Sequence, residues 1–340
     1  MNANKEVTEF SIEKLLLQLL CIFILLALFA FVNLAIYFTV TRRLGNNVDG
    51  SDQAKMIDLR LYLPFEEESK LPNVDTSFKL EGELPVLDGA AALVPVYAAV
   101  IDNVYPEGSV LYEDGAFSDD NYYGENFAEK SVMRYRNTVR GFYAMVDDDA
   151  DVFFGAYPSE EQLKYASDKG IELVTVPIGQ EAFVFFVNSK NPVDNLSVEN
   201  IRDIYSCKIT DWQEVGGAER MINPMLRFPG SGSQNAMDRF MGDTEYGQKS
   251  PFAIFGGAIG FSYRYYMEGM VKNPDVKMLA INGVYPDADN IYEGEYPLTT
   301  SFYAIYRADN PNQNVQKLIQ WILSDEGQNL IELCGYVRIK

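Results

Sequence analysis

Histidine is absent from all 340 residues. Its absence removes Ser-His-Asp and Cys-His nucleophile systems, and every histidine-ligated metal site, from consideration. Cysteine is nearly absent too. Cys21, Cys207 and Cys334 allow at most one bridge in the large domain, and the sequence leaves open whether Cys207 meets Cys334, with free thiols the favoured reading. Basic residues are scarce: 28 Lys and Arg stand against 49 Asp and Glu, a formal net charge of −21. A field of that sign argues against nucleic acid or anionic lipid as a partner. It leaves room for a small buried anion, because charges beyond ~8 Å are screened at physiological salt and local donors control a closed site.

Charge of either sign is missing from Leu15 to Val40, 26 residues without Asp, Glu, Lys or Arg. At ~1.5 Å per residue a helix of that length crosses a ~30 Å hydrocarbon core with some tilt. The run is longer than a signal-peptide apolar region and no Ala-x-Ala site follows it, so the expectation is an uncleaved anchor over 15–40. Cys21 follows Leu20 rather than a small residue, which is unlike a lipoprotein acylation site. Lys5 and Lys14 precede the span and Arg42 and Arg43 follow it, so the positive-inside count leaves orientation undecided. Residues 41–78 read as a polar tether, with Glu66-Glu67-Glu68, Pro64 and Pro72 and no sustained apolar period.

From about Leu80 the pattern becomes globular. Ala90 to Tyr105 reads as a helix; Asp151 to Ala156 and Ile171 to Val176 read as buried strands flanking a helical Ser159 to Lys169. Strand, helix, strand is the rhythm of an α/β fold with a mostly parallel sheet. Ala182 to Asn188 and Thr300 to Arg307 are long strand-like runs, while Val198 to Tyr205, Gln234 to Met241 and Asn314 to Leu333 read as helices. The acidic groups Asp147-Asp148-Asp149 with Asp151, and Asp114, Asp119, Asp120 and Glu125, lack the spacing of a calcium loop. They are expected as solvated turns, with no metal site. Tyr263, Tyr265 and Tyr266 are expected as packing or rim residues.

Leu226 to Gly242 is the stretch that carries chemistry. Arg227 is followed by Gly230-Ser231-Gly232-Ser233, which runs into a helix. A helix start offers N–H groups without intrahelical acceptors and the positive end of the macrodipole, and glycine lets a ligand approach them. Two hydroxyls and a planar guanidinium add donors suited to an oxyanion. Read from these residues alone, an ordinary polar turn ending in an N-cap is equally open.

Pro177 to Asn188, Asn191-Pro-Val, Ile201 to Gly217, Arg227 with Gly230-Ser-Gly-Ser-Gln, Gly257-Ala-Ile-Gly-Phe-Ser and Tyr296-Pro-Leu occur here in unbroken order. Together they resemble the phosphate-type substrate-binding proteins of ABC transporters, within the type II periplasmic-binding-protein superfamily. The resemblance implies two α/β lobes joined by two crossing strands: lobe 1 over 79–178 and 296–340, lobe 2 over 179–295, with residues 1–14 cytoplasmic and the large domain outside the cell membrane. It implies no enzyme activity, no cofactor, phosphate or a related oxyanion as ligand, and an ABC permease as partner. The implied ligand contacts are Gly89, Ala90 and Ala91 in the first lobe and Arg227, Ser231, Gly232 and Ser233 in the second. The family's first-lobe loop has the form Asp-Gly-Ser-Thr, and its two hydroxyl positions are here Ala90 and Ala91. Pro229 stands where an acid would orient the arginine, and no aspartate follows the Gly155-Ala156 turn. Cys207 replaces a usual glycine. A degenerate receptor serving as a surface sensor or interaction module is the alternative reading.

Overall fold

The computed structural model describes residues 14–35, 59–113, 115–117 and 126–339. Helix α1 (Lys14–Ala35) stands as a unit by itself, 22 residues with a mean hydropathy of 3.0 and exposed throughout. At ~1.5 Å per residue it is long enough to cross a bilayer core. Residues 36–40 of the expected span and 41–58 of the expected tether lie outside the described residues, as do Asp114, Asp119, Asp120 and Glu125.

The larger unit contains, in chain order, β1 (Leu87–Gly89), α2 (Val94–Val104), α3 (Asn137–Val146), β2 (Val152–Gly155), α4 (Glu160–Asp168), β3 (Leu173–Asn188), β4 (Asn195–Leu196), α5 (Val198–Tyr205), β5 (Ile222–Pro224), α6 (Gly232–Met241), β6 (Gly257–Tyr263), β7 (Val276–Met278), β8 (Ala280–Ile281), α7 (Ala288–Glu293), β9 (Thr299–Arg307), α8 (Gln313–Ile322) and α9 (Asp325–Leu333). The main sheet runs β1-β2-β9-β3-β6-β5, with β7 also on β3. β1 lies parallel to β2 and β5 parallel to β6. The middle of the sheet is antiparallel, because β3 and β9 run in opposite senses between the two halves. β3 pairs with β9 from Leu173 to Ala182, with a bulge between Pro177 and Gly179, and then with β6 from Phe183 to Val187. These are the two crossing strands implied by the resemblance, and they coincide with the long strand-like runs.

Two main cores result, one on each side of the crossing. The first gathers Leu87, Tyr97, Phe154, Phe302 and Trp321 under α2, α8 and α9. The second gathers Phe185, Tyr205, Trp212, Met237 and Phe261. A smaller cluster of Phe142, Met145, Phe153 and Ile305 seats α3 and α4 on the other face of β2 and β9. Burial of large side chains at ~25 cal/mol per Å² of apolar area drives both halves to compact independently around their strands.

Four findings differ from expectation, the first being that the main sheet, expected mostly parallel, is mostly antiparallel, with β1–β2 and β5–β6 as its parallel pairings, because both crossing strands run through its middle. Residues 59–78, expected as tether, pack onto the first core: Leu59, Leu63 and Leu71 are buried, Phe78 stacks on Trp321 at 5.9 Å, and the Val74 N–H donates to Asn103 Oδ1 at 2.8 Å. Their apolar residues are irregularly spaced because the segment is a short 3-10 turn (Leu59–Tyr62) followed by turns and an irregular strap, so no period marks it. The helix expected over Asn314 to Leu333 is two, α8 and α9, broken where Ser324 caps the Gly327 N–H at 3.3 Å. Helix α3 was not read from the sequence at all. All three cysteines are free thiols, and Cys207 does take a left-handed φ of 60°.

Candidate functional site

A cleft of about 500 Å³, its mouth to solvent included, opens where the ends of β1, β5 and β6 meet the starts of α3 and α6. Arg227, Ser231, Gly232 and Ser233 line one side, and Ala90, Ala91, Ala92, Asn137 and Thr138 the other. Among the described residues lining it there is one cation, Arg227, and no carboxylate, in a chain with 49 acidic residues. The local field therefore has the opposite sign to the protein's net charge.

On the second-lobe side, Gly230 takes φ +80°, which glycine adopts without steric cost, and turns the chain into α6. Ser231 caps that helix: its Oγ accepts from the Gln234 N–H at 3.2 Å, and its own O–H stays available as a donor. The N–H groups of Gly232 and Ser233 follow as first-turn donors. Gln234 then reaches back, its Oε1 accepting from the Arg227 N–H at 2.9 Å while its Nε2 donates to Asp238 at 2.8 Å. This buried amide holds the Arg227 backbone beside the helix start. It fixes the backbone of Arg227 and leaves its guanidinium without the acid expected at Pro229. The Arg227 side chain has no carboxylate partner among the described residues. Its charge is felt at Tyr266, where burial pushes the phenol's pKa up and the guanidinium pulls it back.

On the first-lobe side the sequence reading is corrected in part. Gly89 does not line the cleft; it sits inside β1, where a Cβ would meet Tyr97 Cε1 at 2.7 Å and the Phe154 carbonyl at 2.8 Å. Its role is close packing. The Ala90 N–H donates to the Phe154 carbonyl at 2.8 Å and is spent. Ala91 and Ala92 open a 3-10 turn at the cleft wall, so their N–H groups are the ones without a partner inside that turn.

The start of α3 adds polar groups on the same side of the cleft as Ala90 and Ala91. Asn137, at φ +65°, turns its Oδ1 onto the Thr138 N–H at 2.7 Å, which leaves its amide nitrogen free to donate. Thr138 Oγ1 lies 3.6 Å from the place a Cβ on Gly232 would occupy. The starts of α3 and α6 therefore face each other across the cleft. The α3 start is held by Asp88, whose carboxylate accepts from the Arg136 N–H at 3.0 Å and Nε at 2.7 Å. Gly141 makes room for that carboxylate, since a Cβ there would stand 3.0 Å from Asp88 Oδ1. Asn137 and Thr138, ahead of Val139, Phe142, Met145 and Val146 at helical spacing, were the available sequence signal.

The floor is Ser262 and Tyr263, with Tyr266 beside them. The Tyr263 hydroxyl donates to the Gly232 carbonyl at 3.4 Å, and its pKa is pushed up to about 12, mainly by burial. Tyr265 lies behind the cleft instead, its ring 4.5 Å from that of Tyr336. The two halves also touch at Arg239, whose Nη1 donates to the Tyr157 carbonyl at 3.2 Å. Among the described residues no group of His, Cys, Asp or Glu is placed to hold a metal ion. Asp147 and Asp149 serve ion pairs, with Lys169 at 2.5 Å and with Arg136 respectively.

Two α/β halves joined by antiparallel crossing strands, with facing helix starts and one unpaired arginine between them, define a two-lobe binding protein. The chain belongs to the PBP superfamily, whose domain matches residues 122–326. It is similar to Protein SphX of Synechococcus elongatus, 24% identical over 284 residues that cover 72% of this chain and 83% of the relative. It is also similar to the phosphate-binding protein PstS of Borreliella burgdorferi, 22% identical over 47% of this chain and 64% of that protein. Its fold matches the crystal structure of a putative phosphate ABC transporter substrate-binding protein with bound phosphate from Clostridium perfringens. That match has a TM-score of 0.54 and 20% identity, and covers 76% of this chain and 100% of the other.

Proposed function

We propose that this chain is an extracytoplasmic receptor that holds phosphate or a related oxyanion in the cleft and delivers it to an ABC importer, with α1 as its retained membrane anchor. The observation that carries the reading is Arg227 between the two helix starts, in a cleft lined by no carboxylate. First-turn N–H groups of α6, the Ser231 and Ser233 hydroxyls and the Asn137 amide offer donors, with the Thr138 hydroxyl beside them on Asn137 Oδ1 at 3.4 Å, a set that complements a tetrahedral anion. A ligand that touches both helix starts stabilises the closed arrangement of the lobes, as a two-lobe receptor requires. The names of the relatives point to phosphate.

The reading as a degenerate sensor drew its support from Ala90, Ala91 and Pro229. Against that reading stand Asn137 and Thr138, polar residues on the same wall as Ala90 and Ala91, and Arg227 itself, whose backbone is held by Gln234 beside the helix start. Titration calorimetry of the full chain in detergent with phosphate, sulfate and arsenate is the test. A heat signal for phosphate that is lost in Arg227→Ala supports the receptor; silence with all three oxyanions overturns it.

A further inference from the structure

The Gln234 side chain is buried at 7% exposure, with both ends of its amide engaged. Its oxygen accepts from the Arg227 N–H at 2.9 Å, and its nitrogen donates to Asp238 Oδ1 at 2.8 Å and to the Tyr246 hydroxyl at 3.2 Å. The two ends of a primary amide are nearly equal in size, so packing alone does not choose which of them faces Arg227. The choice matters. The oxygen accepts from the Arg227 N–H, whereas the nitrogen in its place sets donor against donor and leaves the arginine backbone unheld.

Asp238 makes the choice. It stands one helical turn after Gln234 on the same face of α6, and a carboxylate accepts without donating, so it meets the amide by its nitrogen. Tyr246 closes a triangle: its hydroxyl donates to the same Asp238 Oδ1 at 2.6 Å and turns its own oxygen to the Gln234 nitrogen. Burial, and then Asp238, push the Tyr246 phenol's pKa up, so it keeps the hydrogen it donates. The turn that carries Tyr246 is pinned in its turn. The Gly247 N–H donates to the Tyr205 carbonyl at 3.0 Å, and a Cβ on Gly247 would stand 2.2 Å from the Ser206 carbonyl oxygen. Neither Asp238 nor Tyr246 lines the cleft.

Building on the receptor reading, we infer that Asp238 and Tyr246 are positioning residues for the oxyanion: together they fix the Gln234 amide with its oxygen toward Arg227, and so hold the arginine at the start of α6. Their effect reaches the ligand through Gln234 alone. By its charge Asp238 opposes an anion in the cleft; by orienting Gln234 it favours one, and the second effect outweighs the first because water and salt screen a carboxylate outside the cleft.

Calorimetry of the full chain in detergent with inorganic phosphate tests this. Tyr246→Phe, which changes no charge, is expected to weaken binding about threefold. Asp238→Asn, whose amide can meet either end of Gln234, is expected to weaken it by about threefold to tenfold, the range of one lost neutral hydrogen bond. The direction separates the two effects of Asp238, since removing a negative charge by itself strengthens anion binding. In a Gln234→Leu background both weakenings are expected to vanish, because the amide through which they act is gone. Gln234→Asn, one methylene too short to bridge Arg227 and Asp238, is a second background that keeps the position polar should the leucine variant fail to fold. Wild-type or tighter binding in either single variant, or the same weakening in the Gln234-substituted backgrounds, overturns the positioning role and leaves the receptor reading standing. Failure of the wild type to bind phosphate overturns the receptor reading and the inference with it.

Discussion

Asp88 holds Arg136 by two bonds, from the Arg136 N–H at 3.0 Å and from its Nε at 2.7 Å, and so fixes the first turn of α3 to the end of β1. The carboxylate is fully buried and the Arg136 side chain partly so, at 16% exposure, with Asp149 as the arginine's second partner. Burial pushes the Asp88 pKa up while Arg136 pulls it down. One ion pair thereby couples the strand that leads to Ala90 with the helix that presents Thr138.

Breaking a buried ion pair costs about 3 kcal/mol or more when the remaining charge is left unpaired, and less where, as here, Asp149 still compensates Arg136 and about 2 kcal/mol is expected. Asp88→Ala is therefore expected to lower stability by about that amount in urea denaturation and to weaken oxyanion binding as the start of α3 loses its anchor. A loss of less than about 1 kcal/mol, within the range of an ordinary substitution, would mean that the α3 start holds without Asp88.

Arg227 is the one cation among the described residues that line the cleft. Hydrogen bonds to a charged group contribute about 1.5–3 kcal/mol each, so Arg227→Ala is expected to weaken phosphate binding by about a hundredfold, measured by calorimetry. Thr138→Val removes one neutral donor and is expected to cost roughly threefold to tenfold. Ala91→Thr, which restores a hydroxyl on the first-lobe wall, is expected to strengthen phosphate binding. Unchanged affinity in Arg227→Ala would remove the second-lobe half of the site.

Much of this was legible in the sequence. The crossing strands announce themselves as long apolar runs, Ala182 to Asn188 and Thr300 to Arg307, and the α6 cradle as Arg227 with Gly-Ser-Gly-Ser. Helix α3 was not legible, and the reason is local. Asn137-Thr-Val-Arg-Gly-Phe-Tyr places two β-branched residues, a glycine and two aromatics in its first turns, all weak helix formers. Tertiary contacts decide instead, through Asp88 on Arg136 and the space that Gly141 leaves for it. With α3 unseen, Asn137 and Thr138 were missed, and the first lobe looked poorer in donors than it is. Gly89 was assigned to the ligand by its place in a motif, whereas Tyr97 and Phe154 show it to be a packing glycine.

The strap from Leu59 bears on topology. Its backbone is bonded at Phe65 to Asp102 at 2.7 Å and at Val74 to Asn103, with Leu59, Leu63 and Leu71 buried. Protease shaving of intact cells is therefore expected to release a fragment that begins before Leu59 and runs to the C-terminus. A domain protected in intact cells and cut only after lysis would place it on the other side of the membrane.

Glu181 gives the hinge a pH dependence. It lies on β3 opposite Thr300 of β9, 3% exposed, where both crossing strands pass. Its oxygens accept from the Ala182 N–H at 2.8 Å and the Tyr265 N–H at 3.1 Å, and Arg264 Nε forms an ion pair with it at 3.4 Å without aiming its N–H for a hydrogen bond. Tyr263, Tyr265 and Tyr336 also face it, and Glu268 shares Arg264 at 3.0 Å. Burial outweighs Arg264 and raises the carboxyl from 4.5 to about 7. A carboxyl with a raised folded-state pKa binds its proton more tightly folded than unfolded. Its contribution to stability is thus fully present below about 4.5 and is lost as pH rises to about 7, a change of about 3 kcal/mol at ~1.4 kcal/mol per unit. Glu181→Gln keeps the side chain neutral, so it is expected to flatten this slope in urea denaturation series run from pH 5 to pH 8. The same slope in wild type and Glu181→Gln would assign the dependence to other groups.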